Sequence, residues 1–147
     1  MAIMDSKLLL SDAQAITTLA STASSNVIDQ YIGKDFYGTA QSNVPGIGGN
    51  LWLNVWVDTA FTNGTPSVGT LTAKLVHCAT EGGTYTGTGI ASAAVVGSSL
   101  VAGYKLLRVK LPPGLSRYIA VRYVTATSGW TAGKVNAWVG LDTESIL

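Results

Sequence analysis

Apolar and polar residues alternate at every second position along most of this chain. The pattern is sharpest at Leu51–Asp58, where Leu51, Leu53, Val55 and Val57 alternate with Trp52, Asn54, Trp56 and Asp58. Successive side chains leave opposite faces of an extended backbone, so this period predicts a β-strand with one wholly aliphatic face. The same period predicts strands over Thr70–Cys78, Tyr104–Leu111, Arg117–Thr127 and Lys134–Asp142. One face of the first carries Leu71, Ala73, Leu75 and His77, one face of Arg117–Thr127 carries Ile119, Val121 and Tyr123, and Val135, Ala137, Val139 and Leu141 of the last face inward. Val27–Ile32 and Gly87–Gly97 carry weaker strand cues. Turn signals divide these runs at Asn63-Gly64, Glu81-Gly82-Gly83, Pro112-Pro113-Gly114 and Ser128-Gly129. Short strands at fairly regular spacing, with no helical period of useful length, predict an all-β antiparallel sandwich or barrel.

The first 24 residues break the pattern. They are small and polar, with one apolar cluster at Leu8, Leu9 and Leu10. They read as an extended N-terminal arm, 1–24, with a short strand at Ala15–Leu19 and a single sandwich domain over 25–147. Ala13-Gln14-Ala15 imitates a signal-peptide cleavage site, but the apolar run before it is too short and is flanked by Asp5 and Asp12. No apolar run approaches the ~20 residues of a membrane span. The Gly33–Asn50 stretch predicts a long loop, and such loops are often functional.

Composition adds a hint about partners. The 147 residues are 47% hydrophobic but only 12% charged, about half the usual share. A surface so poor in charge is weakly protected against association. Nine basic and eight acidic residues give a net charge of +1, with no clustered basic face for nucleic acid and no polybasic segment for a membrane. Cys78 is the sole cysteine, so the fold stands without an internal disulfide.

Catalytic chemistry finds little to work with. His77 is the sole histidine, and on a strand it leaves the opposite face from Cys78. No nucleophile elbow or phosphate loop is present, and the acidic residues fall mostly in terminal and loop segments. The expectation is a non-enzymatic protein without cofactor or metal.

The Trp52/Asn54/Trp56/Asp58 face carries more. An antiparallel sheet normally turns one face to water, yet this strand is apolar on both. The tryptophan face must be covered by the chain itself, by another subunit or by a ligand. Trp138 repeats the pattern opposite Val135, Ala137 and Val139. Tryptophan is enriched at the energetic centres of protein interfaces. Leu8, Leu9, Leu10, Trp52, Trp56 and Trp138 are therefore the candidate interface residues. Paired tryptophans also stack sugar rings, so a carbohydrate-binding module is the alternative.

The chain also resembles the Bbp16-like family of phage capsid cement proteins. Met4–Ile16, Asn26–Asp29, the run from Leu111 through Arg117-Tyr118, Tyr123–Thr127, Thr131–Val135 and the Leu141-Asp142 ending carry the resemblance. It implies a jelly-roll-like β-sandwich that forms a homodimer or homotrimer. It implies a decoration protein of the virion's outer surface, assembled in the host cytoplasm, that clamps neighbouring subunits of the major capsid protein. The arm Met1–Ala13 and the Gly33–Asn50 loop are the expected grips.

Overall fold

A computed structural model of the chain describes residues 8–30, 51–63, 68–112 and 114–140. The strands are β1 (Leu9–Ala15), β2 (Ser21–Ala23), β3 (Ile28–Asp29), β4 (Trp52–Thr62), β5 (Thr70–Cys78), β6 (Thr86–Ala91), β7 (Val95–Val96), β8 (Lys105–Lys110), β9 (Tyr118–Ala126) and β10 (Ala132–Gly140). All of their pairings are antiparallel.

The first sheet runs β1-β10-β4-β8, and the second runs β2-β9-β5-β6, with β3 also on β9 and β7 also on β5. If β2 and β3 are counted as one broken strand, and β6 and β7 as another, the fold has eight among the described residues. The β5–β6 connection stays within a sheet, and every other connection crosses to the opposite one. This is the double-sheet jelly roll, two Greek keys wrapped around one core.

The core is what the alternation predicts. Leu53, Val55, Val135 and Ala137 of the first sheet meet Leu71, Ala73, Leu75, Ile119, Val121 and Tyr123 of the second, and all are 0% exposed. Burying each large aliphatic side chain contributes ~1.5–3 kcal/mol. The Tyr123 hydroxyl shares a hydrogen bond of 2.8 Å with Ser11 Oγ of β1, which ties the two sheets across the core. Trp130 closes one end: its ring meets Phe61 edge-on at 5.1 Å, and its Nε1 donates to Thr125 Oγ1 at 3.2 Å.

The N-terminal segment corrects the expectation of an arm over 1–24. From Leu9 onward it belongs to the sandwich. β1 pairs with β10, and β2 and β3 pair with β9. The strand expected at Ala15–Leu19 falls between β1 and β2. β1 lacks a readable period because its register shifts twice, and Ala13, inside the second shift, has φ 42°. Residues 1–7 of the expected arm and the whole of the expected Gly33–Asn50 loop lie outside the described residues.

Candidate protein-binding face of the first sheet

The outer face of the first sheet follows from its register. Residues directly opposite on paired strands share a face. Leu9 lies opposite Trp138, Trp138 opposite Asn54, and Asn54 opposite Arg108. In the row on one side, Gly140, Trp52 and Lys110 align. In the row on the other, Asn136, Trp56 and Lys105 align. Three tryptophans and three cations thus share one face.

Trp56 and Trp138 pack edge to face, with ring centroids 5.6 Å apart and planes at 61°. This arrangement sets the positive edge of one ring against the negative face of the other. Lys105 Nζ sits 4.9 Å from the Trp56 ring centroid, close enough for a cation–π attraction. Asn54, opposite Trp138, is fully buried, and among the described residues neither of its amide atoms has a hydrogen-bond partner; Trp56 Nε1 is buried without one as well. Each such group costs ~1–3 kcal/mol.

The six candidate residues separate by depth. Leu10 is 0% exposed and belongs to the core, because alternation turns it away from Leu9. Leu8 is half-buried against that core, and its carbonyl accepts from the Val139 amide at 2.9 Å. Trp56 and Trp138 are 4% and 3% exposed within a single copy of the chain. The question of what covers the tryptophan face is answered for these two rings: the chain itself closes them off, so they present no open pair to a sugar or to a partner. Leu9 and Trp52 remain half-buried at the rim.

Sequence reasoning passed over the cations of β8. Lys105, Arg108 and Lys110 are all exposed, and none forms an ion pair among the described residues. Asp58 of β4 is the described acid on this face, and it accepts from Asn136 Nδ2 at 3.2 Å. Arg108 and Lys110 do stand two apart in the sequence, but Lys105 falls out of that period. The register shift between Val55 and Trp56 is what brings it onto the same face.

His77 and Cys78 have structural uses. His77 Nδ1 accepts from the Ser116 amide at 3.0 Å, which pins the turn before β9. Cys78 is buried and donates to the Thr80 carbonyl at 3.2 Å. On the rim of the second sheet, Arg117 binds Asp29 through Nε at 2.7 Å and Nη2 at 2.9 Å. Those hydrogen bonds hold the Asp29 carboxyl below the usual range. Among the described residues, no three His, Cys, Asp or Glu side chains gather where they could hold a metal ion, and no helix is long and apolar enough to cross a membrane.

No curated protein sequence matches the chain. The Bbp16 family model matches residues 10–139, from β1 to β10 and across both sheets. That span covers most of the sequence, and the chain belongs to the phage-associated Bbp16 family.

Proposed function

We propose that this protein is a capsid decoration, or cement, protein. It binds the major capsid protein lattice of a tailed phage on the outer surface of the virion and stabilises it, acting as a homodimer or homotrimer. The observation that carries this reading is membership of the phage-associated Bbp16 family along residues 10–139. A charge-poor surface and a half-buried rim of Leu9 and Trp52 beside exposed cations support it, since partially apolar, partially charged rims suit protein contacts.

The mechanism needs no bond chemistry. A protein that binds the assembled lattice more tightly than free subunits lowers the free energy of the lattice alone. Repetition at symmetric positions multiplies the effect, and linked subunits gain further by effective concentration.

The test is co-sedimentation of the purified protein with phage heads that lack it. Saturable binding at a fixed number of copies per capsid subunit is expected. Failure to bind heads, while full phage particles also lack the protein, would overturn the reading.

A further inference from the structure

One end of the sandwich is set apart by its lack of charge. Residues 16–20 join β1 to β2 there, 63–69 join β4 to β5, 97–104 join β7 to β8, and 127–131 join β9 to β10. Each connection crosses between the sheets. The register sets them side by side, because Ala132 lies opposite Thr62, and Thr70 lies opposite both Ala126 and Val96. Each also falls within an uncharged run of sequence. Positions 13–28, 59–73, 82–104 and 123–133 hold no Asp, Glu, Lys, Arg or His.

This end is apolar as well. Among the described residues the exposed large apolar side chains are Leu19, Val27, Val68, Val96 and Val101, and all but Val27 lie here. Single apolar residues scattered over a surface need no explanation, but a group of them marks a contact site. Backbone hydrogen bonds join the connections that carry this group. The Trp130 amide donates to the Thr17 carbonyl at 3.1 Å, the Thr131 amide to the Thr62 carbonyl at 2.8 Å, and the Gly97 amide to the Gly69 carbonyl at 2.9 Å. A Cβ added at Gly69 would lie 2.8 Å from the Ser128 carbonyl oxygen, so two of the connections meet without space for a side chain. A surface held in this way loses little conformational freedom on docking.

Charge identifies the occupant. Two copies related by a two-fold axis set the same patch against itself, so a charge on that patch meets its like. The outer face of the first sheet carries Lys105, Arg108 and Lys110, and β5 of the second sheet sets Lys74 directly opposite Arg122 of β9. Copies that met through either face would bring cations together, which is destabilising. The uncharged end meets its own copy without that repulsion. Contacts between identical chains are also the more apolar class of interface, with charge depleted at their centre.

We propose that two copies associate through this end of the sandwich, each burying its Leu19, Val68, Val96 and Val101 against the other. The contact deepens the self-association half of the decoration reading and rests on that half. End-to-end pairing keeps the cationic faces of both sheets outside the contact.

The test is sedimentation of the full-length protein over a range of concentrations, with circular dichroism to verify that each variant is folded. Leu19 and Val101 are 58% and 55% exposed, so replacing them leaves the core intact. Leu19→Lys/Val101→Lys and Leu19→Asp/Val101→Asp each weaken self-association by about tenfold or more, because apolar burial is lost and like charges face each other. An equimolar mixture of the two variants regains association, since each charge then faces its opposite. A parent that stays monomeric, folded double variants that associate like the parent, or a mixture as weak as either variant alone overturns the proposal. Head binding is scored separately on the same proteins. Double variants that self-associate like the parent but no longer bind heads would turn this end toward the capsid protein, which sinks the proposal and leaves the decoration reading standing. A parent that pairs through this end but leaves heads bare sinks the decoration reading alone.

Discussion

Gly133 shows how much one residue can decide. It lies one residue into β10 with φ +148°, and a Cβ added there would drive into the Phe61 ring of β4. Backbone strain and steric overlap act together, so Gly133→Ala is expected to cost ~2–4 kcal/mol in urea unfolding. The same change at Gly87, where a Cβ meets nothing within 4 Å, is expected to be nearly silent. Neither outcome is legible in the sequence, since Phe61 and Gly133 meet only through the β4–β10 register. Tyr123 gives a second residue-scale expectation. Burial pushes its phenol well above the ordinary value of 10.0, and the Ser11 hydrogen bond offsets only part of that push. Below the ordinary value both folded and unfolded chains hold the proton, and the contribution to stability is complete. Above it, the unfolded chain ionises while the folded one does not. Stability should then fall by ~1.4 kcal/mol per pH unit from this group. Tyr123→Phe should flatten the alkaline fall by that amount, as measured by denaturant titration at stepped pH. Equal slopes in the two proteins would show that Tyr123 is not the group responsible.

At the scale of elements, alternation is readable wherever the register is regular. The strand predicted at Thr70–Cys78 is β5 residue for residue, and those predicted at Tyr104–Leu111 and Arg117–Thr127 enclose β8 and β9. β4 runs on to Thr62, past the predicted end at Asp58. The pattern fails at β1, where two register shifts, the second containing Ala13, destroy the two-residue period that a reader of sequence needs. The leucine cluster then looks unanchored in the sequence, when in fact it splits between the core and the outer face. The test is a contrast between neighbours. Leu10→Ala, at a fully buried site, is expected to cost ~2–5 kcal/mol, and Leu9→Ala, at the half-buried rim, under ~1.5 kcal/mol. Similar small losses at both sites would mean that β1 does not dock as a strand. A consequence follows for deletion experiments. Removing residues 1–13 takes away most of β1 together with Leu10 and Ser11, the latter being the partner of Tyr123. Lost capsid occupancy in such a variant would report a damaged sandwich as readily as a lost grip.

For the whole molecule, the sandwich and its buried inner faces are written in the residues, whereas the partner is not. No single residue type encodes a capsid surface, because such binding uses ordinary apolar and charged groups. The two-sided strand at Leu51–Asp58 points to a covered face, and Trp56 and Trp138 are indeed covered, but from within one copy of the chain. Among the described residues, Leu9 and Trp52 stay half-buried at the rim and the β8 cations stay exposed. If the protein is a cement, its effect on heads must obey mass action. A ligand at a hundred times its Kd stabilises the state it binds by ~2.7 kcal/mol per site, and each further tenfold in concentration adds ~1.4 kcal/mol. Heads lacking the protein should therefore rupture at a lower temperature than heads supplied with it. The rupture temperature should keep rising with the logarithm of free protein after the sites are full, because excess ligand continues to oppose dissociation. A protein that merely coats heads, with equal affinity for lattice and free subunit, would saturate the surface and leave the rupture temperature where it was. Following release of the packaged genome during a thermal ramp, at several protein concentrations, separates the two. Full occupancy with no upward shift would leave a capsid-bound protein whose work is not cementing.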